Sequence, residues 1–242
     1  MRIAFINIMK NILFAILLSL AVISNLAYAE VKAVIKTADV NVNNVNEEDL
    51  QKILALAKQG DVEAQFKLGL MYYIGESVSQ DYKQAAYWFE KAATLGVAKA
   101  QYNLGLMYDN GQGVTQDYKQ AAYWYEKAAT QGLAKAQYNL GYLYANGQGV
   151  TQDYKQAVNW YEKSATQGVA DAQNNLGLMY DKGQGVTKNL IKAHMWANIA
   201  ASNNGIDRKL RDSVAKKLTS EQLNKAQEMA KKCLSSKYKN CQ

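Results

Sequence analysis

The residues that could do chemistry in this chain are few, and most lie towards its C-terminal end. There is one histidine, His194, and there are two Ser-x-x-Lys matches, Ser213/Lys216 and Ser236/Lys239. A lysine at this spacing can activate a serine for acyl transfer, but the enzymes that use it also carry Ser-Asp-Asn and Lys-Thr-Gly motifs. Neither motif is present, and roughly one residue in four of this region is basic, so a match is expected by chance.

The sequence predicts no catalytic residue, no metal and no cofactor. The Gly-Gln-Gly-Val segments lack the Lys-Ser/Thr of a phosphate-binding loop, and the carboxylates do not pair. His194 occupies the offset of Ala86, Ala122 and Val158, which favours a partly buried structural role. The two cysteines do not form a Cys-x-x-Cys motif.

The elements around these residues repeat every 36 residues. Residues 96–131 and 132–167 are identical at 29 of 36 positions. A glycine opens each of four equal segments and a tryptophan recurs at a fixed offset: Gly60, Gly96, Gly132 and Gly168, then Trp88, Trp124, Trp160 and Trp196. Such a period indicates stacked supersecondary units. These stacks mostly present a surface to a partner.

Each segment is predicted to fold as helix, loop and helix. In the second segment, Ala100, Leu104 and Tyr108 form the core face of the first helix. That helix ends at Asn110-Gly111, because glycine accepts a left-handed conformation. Asp117 then caps the second helix, with Gln120 at capping-box spacing. The pattern divides the chain into a signal peptide (1–29), a flexible leader (30–45), a half-repeat capping helix (46–59), four repeats (60–95, 96–131, 132–167 and 168–203), and C-terminal capping helices with a tail (204–242).

A second glycine lies inside each first helix. The four positions are Gly69, Gly105, Gly141 and Gly177. A mid-helix glycine costs about 1 kcal/mol relative to alanine, so close contact with a neighbouring helix is expected to compensate. The tryptophans, with Phe89, Tyr125 and Tyr161, are expected to fill the space between second helices.

The run A-x-x-N-L-G-x-x-Y-x-x-G-x-G-V-x-x-D-Y-x-x-A-x-x-W-Y-x-K-A-A-x-x-G resembles the Sel-1-like repeat, a relative of the tetratricopeptide repeat. Residues 60–203 match it in four units. The resemblance implies an all-α, right-handed superhelical solenoid with capping helices at both ends. Some secreted, cysteine-rich members of this family are associated with β-lactam binding or hydrolysis. This chain lacks their cysteine pair within each repeat, and a β-lactamase-like function remains the alternative.

The first helices of such a stack line its concave face, which is the expected partner-binding surface. Its residues are predicted to be Phe66, Leu70, Lys99, Tyr102, Asn103, Leu106, Lys135, Tyr138, Asn139, Tyr142, Asn175 and Leu178. An apolar and aromatic stripe that meets water is typical of a binding patch. The asparagines resemble the ladder by which some relatives hold a peptide backbone. The alternative is that they bond to the neighbouring repeat.

The N-terminal residues read as a secretory signal. Arg2 and Lys10 precede an apolar run, and Ala27 and Ala29 predict cleavage before Glu30. An uncleaved anchor is the alternative, although the run is shorter than the about 20 residues of a membrane span. We therefore expect a periplasmic or secreted protein with no transmembrane anchor after cleavage.

The expected export bears on how the cysteines and the charge are interpreted. Cys233 and Cys241 should form a disulfide in an oxidising compartment. The net charge of +7 comes mainly from residues 204–242, where ten Lys or Arg face four Asp or Glu. Nucleic acid is a poor partner for an exported chain, and a solvated helix face is favoured over contact with an anionic envelope surface. The expected protein is a monomer that binds a protein, a peptide, or an envelope or cell-wall component.

Overall fold

The computed structural model describes residues 47–203, 208–239 and 241. The predicted signal peptide (1–29), its cleavage site at Ala29 and Glu30, and the leader (30–45) lie outside the described residues. Within the described part, every regular element is an α-helix. The all-α fold class predicted from the repeat is therefore confirmed for these residues.

The helices follow one another with short loops. They are α1 Glu47–Lys58, α2 Val62–Ile74, α3 Tyr82–Thr94, α4 Ala98–Asn110, α5 Tyr118–Thr130, α6 Ala134–Asn146, α7 Tyr154–Ala165, α8 Ala170–Lys182, α9 Leu190–Ser202, α10 Lys209–Ala215 and α11 Ser220–Ser235. The first helices of the four repeats are α2, α4, α6 and α8, and the second helices are α3, α5, α7 and α9. The described residues divide within α3 into two compact units, a first that ends at Trp88 and a second that begins at Phe89.

In the first unit, α1 packs against α2, as expected of a capping half-repeat. Leu50, Ile53 and Ala57 of α1 are buried, and they lie one helical turn apart as an amphipathic helix requires. Asp61 caps α2, because its side chain accepts a hydrogen bond of 2.7 Å from the backbone N–H of Ala64. The shared core is a cluster of buried side chains: Leu50, Ile53, Ala57, Ala64, Leu68, Met71 and Trp88.

In the second unit, each helix from α4 to α9 packs against the next one along the chain, and α9 also packs against α10 and α11. The helix ends follow the local signals in the sequence. Gly111, Gly147 and Gly183 end α4, α6 and α8 with φ of 67°, 67° and 71°. Asp117 caps α5 by accepting from the N–H groups of Lys119 and Gln120. The reciprocal capping box forms at Thr219 and Gln222 of α11.

A ladder of side-chain amides joins successive repeats of the second unit. The glutamine near the start of each first helix donates to a backbone carbonyl at the end of the preceding second helix: Gln101 to Ala93 (3.0 Å), Gln137 to Ala129 (3.1 Å) and Gln173 to Ala165 (3.0 Å). Each glutamine oxygen then accepts from an amide 30 residues later: Gln131 (2.7 Å), Gln167 (2.8 Å) and Asn203 (2.9 Å). These buried amides thus satisfy both their donor and acceptor groups.

Candidate partner-binding face

The mid-helix glycines let a tyrosine ring approach the first helix. A methyl group at Gly105 would lie 2.7 Å from Cδ1 of Tyr125, and one at Gly141 would lie 2.9 Å from Cδ1 of Tyr161. Both distances are too short for carbon atoms that are not bonded. The compensating close contact predicted for these glycines is therefore confirmed. The placement predicted for Tyr125 and Tyr161 was incomplete, because each ring packs against the first helix of its own repeat.

At Gly177 the neighbour is backbone instead of a ring. A methyl group there would lie 3.0 Å from the carbonyl oxygen of Ala193 and 3.2 Å from the amide nitrogen of Ala197. The fourth repeat carries Ala197 at the offset of Tyr125 and Tyr161. With that ring absent, α9 approaches α8 directly.

Part of the predicted binding face is buried instead of meeting water. Tyr102 and Asn103 of α4 are only 2% and 1% exposed, and Leu106 is also buried. In the first unit, Phe66 and Leu70 of α2 are buried as well. The reason at Tyr102 is that its ring packs on the buried ring of Tyr125, with the ring centres 6.0 Å apart. The α4 residues from Gln101 to Met107 are all buried, so this helix has no single core face.

The later first helices leave the face more accessible. Tyr138, Asn139, Asn175 and Leu178 are half-buried, as is Lys135, and Tyr142 is 46% exposed. Lys99, near the start of α4, is also half-buried. Tyr138 packs on Tyr161, with the ring centres 6.0 Å apart. We call the set Tyr138, Asn139, Tyr142, Asn175 and Leu178 the tyrosine face.

The asparagines contact the preceding repeat, as the alternative interpretation held. Asn139 makes a polar contact with the Tyr125 hydroxyl, and Asn175 makes one with the Tyr161 hydroxyl. Burial raises the pKa of Tyr125 well above its usual value, and the Asn139 amide opposes that rise. Burial likewise raises the pKa of Tyr161.

Asn103 lacks this partner. The residue 14 positions before it is Phe89, whereas Tyr125 and Tyr161 stand 14 positions before Asn139 and Asn175. Phenylalanine has no hydroxyl, and both the amide nitrogen and the amide oxygen of Asn103 are buried without a hydrogen bond. A single substitution in the repeat thus leaves one member of the asparagine row unsatisfied.

A second polar contact joins the two helices of the second repeat. The Tyr125 hydroxyl donates a hydrogen bond of 3.0 Å to Oδ2 of Asp109. Burial raises the pKa of Asp109, and this hydrogen bond partly offsets the rise. The third repeat has Ala145 at the Asp109 offset, so Tyr161 has no equivalent acceptor there.

The residues with catalytic potential are not brought together. His194 is 3% exposed on α9, and its Nδ1 has no hydrogen-bond partner. Burial lowers the pKa of His194, and the nearby positive charge of Arg211 lowers it further. The Ser236 hydroxyl donates to the backbone carbonyl of Cys233 at 2.9 Å, and Ser213 is an exposed residue of α10.

The structure joins Cys233 and Cys241 by a disulfide, with their Cα atoms 4.5 Å apart. Among the described residues, His, Cys, Asp and Glu form no group of three that could hold a metal ion. The described helices also include none with the length and apolar content needed to span a membrane.

The comparisons with known proteins assign the repeat. The family model of the Sel1 repeat matches residues 62–97, 98–133, 134–169 and 170–205. These units begin two residues later than the segments defined above, because the starting point of a repeat is a matter of convention. No curated protein matches the chain.

Solved structures show the same fold. The protective antigen c5321 of uropathogenic Escherichia coli, described as displaying an SLR fold, is 30% identical with a TM-score of 0.73. The alignment covers 89% of this chain, which spans only 47% of that protein's length. A Sel1 repeat protein from Oxalobacter formigenes is 30% identical with a TM-score of 0.62, and the alignment covers 88% of this chain and 77% of that one. The chain therefore belongs to the Sel1 repeat family, an all-α fold whose members are generally non-enzymatic scaffolds for protein–protein interaction.

Proposed function

We propose that this protein binds a partner through an extended peptide segment that lies along the tyrosine face. The observation that carries the proposal is the exposure of Tyr142. The large apolar side chains exposed among the described residues are Leu56, Tyr87, Leu95, Tyr123 and Tyr142. Of these, only Tyr142 lies on the first helix of a repeat. Repeat arrays use the face formed by their first helices to hold ligands.

The neighbouring side chains suit a peptide. Tyr138 packs on the buried ring of Tyr161, and Tyr142 lies one helical turn after Tyr138 on α6, so both tyrosines belong to the same side of that helix. Rigid aromatic side chains supply contact area at low entropic cost. The amide of Asn139 has two N–H donors and a carbonyl acceptor. Its contact with Tyr125 leaves hydrogen-bonding capacity for a peptide backbone, so the two roles considered for the asparagines are compatible.

The site proposed here differs from the surface predicted from the sequence, because only part of that surface is accessible. The surface predicted from the sequence includes Tyr102 and Asn103 beside Tyr138 and Asn139. Because Tyr102 and Asn103 are buried, truncating either should mainly affect folding. The residues expected to carry affinity are instead Tyr138 and Tyr142.

The test compares two tyrosines of matched exposure. Tyr142 is 46% exposed on a first helix, and Tyr123 is 48% exposed on a second helix. A photo-crosslinking amino acid at position 142 should capture a partner from envelope extract, whereas the same group at position 123 should not. Tyr142→Ala should then weaken binding of the purified partner by about 1–3 kcal/mol, with Tyr123→Ala unchanged. Equal crosslinking at both positions, or equal affinity of both variants, would contradict the proposal.

We further propose that the mature protein begins at Glu30 and acts in the periplasm or outside the cell, where its partner is a protein, a peptide or a cell-wall component. The support is the signal-like N-terminal sequence and the bonded cysteine pair, because disulfides persist in oxidising compartments. Mass spectrometry of periplasmic and culture fractions should find Glu30 as the first residue. Intact Met1 in a soluble cytoplasmic pool would refute export.

The hydrolase alternative makes a separate prediction. A β-lactamase-like protein would turn over a chromogenic β-lactam, and Ser213→Ala or Ser236→Ala would abolish that turnover. The scaffold proposal expects no β-lactam turnover by the unmodified protein or by either serine variant.

A further inference from the structure

The C-terminal tail borders a partly open cavity beside the last repeat. The cavity has a volume of about 200 Å³ and is distinct from the tyrosine face. Its lining comes from α7, α8, α9 and the tail: Glu162, Thr166, Tyr180, Lys192, Trp196, Tyr238, Lys239 and Cys241. Earlier repeats have counterparts for the helical residues, but the tail occurs only here.

The tail is held in place by several independent contacts. The disulfide ties Cys241 back to Cys233 of α11. Asn203 donates a hydrogen bond of 2.7 Å to the Tyr238 hydroxyl. The Tyr238 ring also lies over Gly168, where an added methyl group would be 3.0 Å from ring atom Cε2.

The backbone of the tail is unusual at the same point. Lys237 and Tyr238 have φ of 50° and 65°, in the left-handed region that side chains disfavour. Two consecutive residues of this kind persist only where the surrounding contacts determine their conformation. The tail therefore forms a defined wall of the cavity.

The charges around the cavity are incompletely paired. The Tyr180 hydroxyl donates to Oε1 of Glu162 at 3.3 Å, and the Lys192 ammonium lies over the Tyr180 ring, 5.5 Å from its centre. Burial and then the Glu162 charge raise the pKa of Tyr180 to about 12, so its hydroxyl remains a donor. No described carboxylate forms an ion pair with Lys192 or Lys239.

The two lysines beside the cavity have no counterparts between the inner repeats. The residue at the Lys192 offset is Gln120 in the second repeat and Gln156 in the third. Lys239 belongs to the tail, and no equivalent segment lies between the inner repeats. The two ammonium groups against one carboxylate leave the lining with an excess positive charge beside the aromatic walls formed by Trp196 and Tyr180.

We propose that this cavity binds a small carboxylate that carries an apolar group, of the size of one amino-acid residue. Its carboxylate would lie between Lys192 and Lys239, and its apolar group would lie against Trp196. An N–H group on the ligand would donate to Glu162. The volume supports this size, because pockets that enclose drug-sized ligands measure about 300–1,000 Å³.

Two sources share this chemistry, a free N-acylated amino acid and the C-terminal residue of a peptide. The probes are N-acetylphenylalanine, its carboxamide, and a pentapeptide that ends in phenylalanine with a free carboxylate. Isothermal titration calorimetry on the full mature chain measures their affinities. Tighter binding of the pentapeptide identifies a peptide C-terminus as the ligand, whereas binding of the amino acid alone identifies a free molecule, and either result supports the site.

The expected result is that the acid binds at least about tenfold more tightly than the carboxamide, since a charge-assisted interaction is lost. Lys192→Met and Lys239→Met should each weaken the acid by about fivefold or more, a loss of roughly 1 kcal/mol. Lys216→Met is the matched control, because Lys216 is exposed and does not line the cavity. Equal affinity of acid and carboxamide, unchanged affinity in both lysine variants, or no binding of acid or pentapeptide up to about 1 mM would overturn the proposal.

The tail supplies a second test. Cys233→Ser/Cys241→Ser removes the covalent hold on Tyr238 and Lys239, and it should weaken the acid while helical circular dichroism stays unchanged. Lys239→Met in this background should then have a smaller effect than in the disulfide-bonded protein. An undiminished Lys239→Met effect, or full affinity of the double-serine variant, would show that the held tail is not a wall of the site.

Discussion

Replacing Tyr125 with phenylalanine should destabilise the protein more than the same change at Tyr161. Both rings are buried against a mid-helix glycine, so the ring packing is preserved in both variants. Tyr125→Phe removes the 3.0 Å hydrogen bond to Asp109 and the contact with Asn139. Tyr161→Phe removes only the contact with Asn175.

The magnitudes follow from the type of acceptor. A hydrogen bond to a charged group contributes about 1.5–3 kcal/mol and one between neutral groups about 0.5–1.5 kcal/mol. Tyr125→Phe should therefore cost about 2–4 kcal/mol of unfolding free energy, and Tyr161→Phe about 1 kcal/mol. Adding Asp109→Ala to Tyr125→Phe should recover part of the loss, because it removes the unpaired carboxylate.

Urea unfolding followed by circular dichroism measures these differences, compared among variants that keep the same m-value. Asp109→Ala alone reproduces what the third repeat already contains, where Ala145 stands at the Asp109 offset and Tyr161 at the Tyr125 offset. Equal costs for the two phenylalanine variants, or a further loss on adding Asp109→Ala, would refute the reasoning about the Tyr125 hydroxyl.

Three further changes test other contacts. Phe89→Tyr offers Asn103 a tyrosine hydroxyl like those beside Asn139 and Asn175. It should raise the free energy of unfolding by about 0.5–1.5 kcal/mol and so raise the urea midpoint, whereas a lower midpoint would show that the hydroxyl does not reach the amide. Gly141→Ala gains about 1 kcal/mol of helix propensity but places a methyl group 2.9 Å from Tyr161. Because overpacking costs about 1–3 kcal/mol, the midpoint should fall, and a clear rise would contradict the close contact. His194, which faces Arg211 and Asp212, has a lowered pKa in the folded state. Its contribution to stability is fully present above the unfolded-chain pKa of about 6.5 and is lost as the pH falls towards the folded value. Denaturation midpoints of His194→Gln should therefore depend less on pH in that window, and identical profiles would refute the assignment.

Local features were predictable because their causes lie within a few residues. The left-handed glycines Gly111 and Gly147 and the aspartate caps at Asp117 and Asp153 depend on backbone conformation and on bonds spanning two or three residues. The capping helix predicted over residues 46–59 is α1, Glu47–Lys58. The mid-helix glycines implied a close contact because each carries a cost that something must offset.

The face of the first helices was harder to predict. A period of 3.6 residues identifies one buried side of a helix, but α4 has neighbours on several sides and buries Tyr102 and Asn103 too. The contact of Asn139 with Tyr125 depends on how one repeat lies on the previous one, which the residues of either repeat alone do not specify. The cavity at the C-terminal end requires the tail to fold back past Asn203, and no periodic signal marks that return.

The amide ladder bears on how this array could change its length over evolution. Each joint of the second unit uses a glutamine that bonds to a carbonyl 8 residues earlier and to an amide 30 residues later. An in-frame duplication of a 36-residue unit would therefore reproduce every partner without a new interface. The 29 identities between residues 96–131 and 132–167 are what such an event would leave. The ladder ends at Asn203, the last residue of the fourth repeat, which stands at the offset of Gln131 and Gln167 and also donates to Tyr238 of the tail. New units can therefore be gained between the inner repeats, whereas the contact with the tail is made only by the last one.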